Sequence, residues 1–184
     1  MRLFVSVDIP DELADGVAAV QDRLRDAPGL RFTDPGQAHV TLQFLGDVPD
    51  QRVEEVVDAL ETAVGSADVA PFDAEFGGLG VFPSLDYISV VWLGVREGSE
   101  ALARLNAAVE REMAGLGFEG DDHDFTPHVT LARMDHAGGK EHVQQVVQRA
   151  DPTVGRTRVE SVALTESSLT DDGPVYATVE RVPL

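Results

Sequence analysis

The sequence predicts an α+β fold in which two pseudo-symmetric β-α-β-α-β lobes, with largely antiparallel sheets, flank a central cleft. Three observations lead there. The tetrapeptide His-Val-Thr-Leu opens at His39 and again at His128, 89 positions later in a chain of 184 residues. The same offset roughly superposes two helical stripes, one from Leu13 to Leu24 and one from Leu102 to Met113, which is the mark of an internal duplication. Turn residues at 84–86 and 171–173 then fold successive strands back on one another.

Residues 3–7 read as the first strand, and Pro10 with Asp11 signals a helix start before Leu13, Val17, Val20 and Leu24. A loop around Phe32 spans residues 29–36, and the β-branched alternation of residues 39–45 is a strand. Val53, Val56, Val57, Leu60 and Val64 give the second helix, and residues 72–76 the strand after it. The second half repeats the order. Residues 87–95 are strand-like, Leu102, Leu105, Val109 and Met113 line one helix face, and the strand HVTLAR follows. Val143, Val146 and Val147 suggest a fourth helix, residues 159–164 a strand, and residues 175–182 a last strand after the turn DDGP. No low-complexity linker divides the chain, so residues 1–184 are expected to form one bilobal domain, with approximate halves 1–84 and 85–184.

Composition narrows the chemistry. With no cysteine, there is no disulfide, thiolate nucleophile or Cys-ligated zinc. No apolar run approaches the roughly 18 residues of a spanning helix, so no membrane is expected as a partner. The N-terminus lacks a secretory pattern, which predicts a cytoplasmic protein. Thirty-three acidic residues stand against 14 basic ones, of which only Lys140 is a lysine, for a net charge of −19. Such a surface reads as salt-adapted, and it disfavours a grip on a long nucleic-acid backbone. Recognition of a small or terminal phosphate stays open.

In a strand, His39 and Thr41 share one face while Val40 and Leu42 take the other, and His128 and Thr130 follow the same parity. Core packing would preserve valine and leucine after a duplication; it would not select histidine and threonine on the opposite face twice. Two imidazoles and two hydroxyls converging on one cleft suit phosphate chemistry, because one neutral imidazole can accept a proton while a charged one donates. The other histidines carry less. His123 lies in the acidic run DDHD, read as a solvated loop, and His136 and His142 have no recognisable spacing. A catalytic zinc would need a third ligand that nothing marks. Phe44 and Phe82 could stack on a base but are read as core.

The elements HVTLQFLG and TPHVTLAR are similar to the paired signatures of the two-histidine (2H) phosphoesterase superfamily. The segments MRLFVSVDIP, GGLGVFPS, LGF at 116–118, ESSL and GPVYATVERVPL resemble one branch of it, the RNA 2′,3′-cyclic phosphodiesterases also described as 2′-5′ RNA ligases. The departures are Phe32, where an aromatic that is commonly tryptophan precedes the first motif, and the flank PGQAHVTL. The resemblance implies a cleft that opens 2′,3′-cyclic phosphates without metal or other cofactor, leaving a 2′-phosphate. His39 would be the acid, His128 the base, and Thr41 and Thr130 the phosphate ligands. It also implies a reversible, ATP-independent 2′-5′ ligation. Arg133 would add a phosphate contact, although its odd offset from His128 places it on the opposite face unless the strand end twists or a bulge intervenes. The implied partners are RNA 3′ ends or nucleotide cyclic phosphates, tRNA fragments among them, with the chain acting as a monomer. Rival readings are another 2H activity, on 2′-5′ oligonucleotides or a small nucleotide cyclic phosphate, and a non-catalytic RNA-end binding module.

Overall fold

The computed structural model describes all 184 residues. Nine strands form one curled, antiparallel sheet: β1 (Arg2–Asp8), β2 (Leu30–Phe32), β3 (His39–Asp47), β4 (Phe72–Pro83), β5 (Ile88–Glu97), β6 (His128–Met134), β7 (Thr153–Val159), β8 (Ser161–Thr170) and β9 (Gly173–Pro183). Four helices pack on it: α1 (Ala14–Asp22), α2 (Val53–Ala67), α3 (Ser99–Ala114) and α4 (Lys140–Arg149). Their apolar stripes explain them. In α2, for example, Val56, Leu60, Ala63, Val64 and Ala67 are buried at helical spacing.

The strand order is β7-β4-β5-β6-β3-β1-β8-β9, with β2 added beside β6. This order maps onto itself when β6 exchanges with β3, β5 with β1, β4 with β8 and β7 with β9, as the internal duplication requires. The seam is narrow, since β3 and β6 pair only through Val40 and Val129.

The halves 1–84 and 85–184 do not each build a lobe, however. One lobe takes β1 and β3 from the first half and β8 and β9 from the second, and it packs α2 and α3 together. The other holds β4 to β7, with α1 against β6 and β7 and α4 against β4. The physical reason is pairing partner: β1 bonds to β8 from the far half, and β4 bonds to β7. The strand expected at 159–164 is likewise two strands broken at Glu160, where the chain leaves one end of the sheet and enters the other. A cluster of 31 buried apolar residues nonetheless runs through both lobes. The loop expected around Phe32 contains the short β2.

Both histidine strands carry a β-bulge at the same place. Along β3, Ser6 pairs with Thr41 and Val5 with Gln43, skipping Leu42. Along β6, Trp92 pairs with Thr130 and Val91 with Ala132, skipping Leu131. A buried amide side chain meets each skipped carbonyl: Asn106 Nδ2 on α3 donates to Leu42 O at 2.8 Å, and Gln21 Nε2 on α1 donates to Leu131 O at 3.1 Å. Replacing Asn106 with leucine removes the side-chain donor to the Leu42 carbonyl, so Asn106→Leu should lower unfolding free energy by about 1–3 kcal/mol; Gln21→Leu should cost less, because Leu131 O still accepts from Thr33 N–H at 3.0 Å. A fall in denaturant midpoint at constant m-value is the measurement.

Candidate active site

A cleft of about 1770 Å³ lies across the seam between the lobes. The single Val40–Val129 pair sets the register, placing His39 across from Thr130 and Thr41 across from His128. The two histidines are thus diagonal neighbours, a relation that typically separates Cα atoms by roughly 7–8 Å. All of His39, Thr41, His128, Thr130 and Arg133 line this one cleft. Neither threonine hydroxyl has a hydrogen-bond partner within the protein, so both are free to meet a ligand.

The bulges decide what else faces inward. Each adds one residue, reversing the strand parity, so that the fifth residue after each histidine returns to the cleft face. In β6 that residue is Arg133; in β3 it is Phe44. Arg133 therefore reaches the cleft by the bulge its odd offset demands. It makes no ion pair or hydrogen bond in a chain with 33 acidic residues. Its cross-strand neighbour Arg31 is paired with Asp135 at 3.1 Å. Phe44, expected in the core, is instead 59% exposed on the cleft wall.

The two imidazoles are held alike. His39 Nδ1 donates to Gln37 O at 2.9 Å and His128 Nδ1 donates to Thr126 O at 2.7 Å, two residues upstream in each case. A carbonyl can only accept, so Nδ1 carries the proton and Nε2 remains as the working nitrogen. Each ring also meets an aromatic edge to face, His39 with Tyr176 at 5.2 Å and His128 with Phe82 at 4.9 Å. Phe82 is half-buried, so it is a wall of the site rather than core. Gly80 makes room behind it, because a Cβ there would lie 2.2 Å from the Trp92 ring, itself 5.9 Å from His128.

Burial pushes both imidazoles below the ordinary 6.5, partly countered by the carbonyl each one bonds. Beyond that the sites differ. Asp8 stands opposite His39 in the β1–β3 register and raises its pKa, whereas Gly94 stands opposite His128 in the β5–β6 register. Arg133 lowers both, and His39 lowers His128 further.

His123 lines the cleft, while His136 accepts from Gly138 N–H and His142 contacts the distant Arg23 O. No three His, Asp or Glu side chains group as a metal site, and no helix is long and apolar enough to cross a membrane. Tyr176, Gln37, Trp92 and Asp8 were not singled out by the sequence. Asp8 and Trp92 become legible only once β1 and β5 are known to flank the histidine strands, and Tyr176 only once β9 curls back beside them.

Residues 9–171 match the family model described as the 2′-5′ RNA ligase superfamily. The chain is 32% identical to the RNA 2′,3′-cyclic phosphodiesterase of Methanothermobacter thermautotrophicus, over 98% of this chain and 97% of that one. It is 33% identical to the protein of the same name from Archaeoglobus fulgidus, over 96% of each. Among solved structures, TT0787 of Thermus thermophilus superposes with a TM-score of 0.81 at 30% identity, covering 100% of this chain and 98% of the other. With paired His-x-Thr strands across one cleft and a family match over most of its length, this chain belongs to the 2′-5′ RNA ligase superfamily.

Proposed function

We propose that this protein hydrolyses RNA 2′,3′-cyclic phosphate ends to 2′-phosphates by acid–base catalysis between His39 and His128, without a metal. The observation that carries the reading is the pair of like-oriented imidazoles whose free Nε2 atoms share a cleft with two unengaged threonine hydroxyls. Relatives named RNA 2′,3′-cyclic phosphodiesterase, similar over nearly the whole chain, support the reaction class.

In the proposed step, His128 Nε2 takes a proton from water as its oxygen attacks phosphorus. The bond from phosphorus to the 3′ oxygen breaks, and His39 Nε2 donates the proton that oxygen needs. Thr41, Thr130 and Arg133 hold the non-bridging oxygens, where added negative charge develops. Broken symmetry supports this direction. The carboxylate of Asp8 favours protonated His39, and nothing equivalent stands beside His128. With a 5′-hydroxyl in place of water, the same two transfers in the same direction form a 2′-5′ phosphodiester and free the 3′-hydroxyl, using the energy of the strained ester.

The cleft exceeds the 300–1,000 Å³ usual for small-molecule pockets, which suits an RNA end better than a lone mononucleotide. With Arg133 and Arg31 as its only arginines, the cleft offers local contacts to a terminus rather than a track along a backbone.

Incubation with a 2′,3′-cyclic nucleotide in EDTA tests the reading, and a ring-opened 2′-phosphate is the expected product. His39→Ala and His128→Ala should each reduce kcat by about 10²–10⁴-fold. Equal rates for wild type and the double variant would sink it. The pH profile is a second check. The protonated acid is lost as pH rises through the His39 pKa, which burial holds below 6.5, so the falling limb of kcat/KM should lie on the acid side of 6.5. Asp8→Asn should move that limb further toward acid and leave the rising limb, set by His128, in place.

A further inference from the structure

We propose that Gln37 is a positioning residue for His39, coupling the orientation of that imidazole to the β8–β9 hairpin at the cleft mouth. The proposal rests on the acid–base reading above.

Gln37 ends the short 3₁₀ turn Pro35–Gln37 that leads into β3. Three of its polar groups are committed at once. Its main-chain oxygen accepts from His39 Nδ1, its Oε1 accepts from Tyr176 N–H at 2.9 Å, and its Nε2 donates to Pro174 O at 3.0 Å. The side-chain amide thereby bonds two alternate residues on the open edge of β9 in the manner of a neighbouring strand. Beyond the pairing of β8 with β9 and the local bond of Thr170 to Gly173, these two contacts are the hydrogen bonds that tie residues 170–176 to the rest of the molecule.

The hairpin faces the cleft. Leu169, Val175 and Tyr176 line the cleft, with Leu169 88% exposed, and the Tyr176 ring lies edge to face against His39. A substrate seated against the tip therefore pulls on the side chain of the same residue whose main-chain oxygen fixes the His39 ring. The other half lacks this device: Thr126, which supplies the equivalent carbonyl to His128, makes no side-chain hydrogen bond. His128 is thus an internal control.

Gln37→Met keeps the length of the side chain and removes both amide bonds. The expected result is a kcat about ten- to hundredfold lower, the scale of an approximately 1 Å misplacement, with KM within about twofold. Imidazole ¹⁵N spectra should show His39 passing from one fixed tautomer to a mixture while His128 keeps its shifts and its titration. Unchanged kcat with an unchanged His39 spectrum would overturn the proposal, and so would equal disturbance of both histidines, which signals general loosening. Should the wild type open no cyclic phosphate, the acid–base reading fails by itself, and the spectra still decide whether Gln37 fixes the His39 ring.

Discussion

A β-bulge leaves a backbone carbonyl outside the ladder, and in a dry interior that carbonyl must find a donor. The structure turns on meeting this demand twice: at Leu42 with the side-chain amide of Asn106, and at Leu131 with the main-chain N–H of Thr33 together with the side-chain amide of Gln21. With the carbonyls satisfied, the bulges hold, and two consecutive residues of each strand sink into the core. Leu42 with Gln43, and Leu131 with Ala132, are the buried pairs. The next residue on each strand is thereby returned to the cleft. Without the bulges, Arg133 would face the core beneath its histidine.

The cleft is symmetric where binding and proton transfer need two similar groups, and asymmetric where they need a direction. Histidines, threonines, upstream carbonyls and edge-on aromatics recur on both sides. Asp8 faces His39 where Gly94 faces His128, and Phe44 occupies the position that Arg133 holds opposite. A duplicated scaffold supplies the first set. Single replacements on that scaffold supply the second, so a pseudo-twofold site acquires a polarity without any new element.

Most of the elements were legible because helical and strand periodicities are local. The paired His-x-Thr elements were legible because parity alone separates their polar face from their apolar one. What escaped depends on partners far along the chain. The interleaving of the halves is a matter of which strand β1 and β4 choose, and no local pattern records that choice. Phe44 was read as core because a bulge is invisible to simple alternation, although polar Asn106 and Gln21 within apolar helix stripes mark where something buried needs a donor. Asp8 lies 31 residues from His39 in sequence and directly across from it in the sheet.

The exchange of strands between halves also governs the order in which the molecule can be built. Neither lobe is complete until the last third of the chain is present, since one needs β7 and the other needs β8 and β9. A nascent chain ending before residue 153 holds both histidine strands yet exposes unpaired edges on β1 and β4. Closure over such sequence separations is slow and strongly cooperative. The protein is therefore expected to emerge from synthesis as one late, all-or-none event, with no independently stable half.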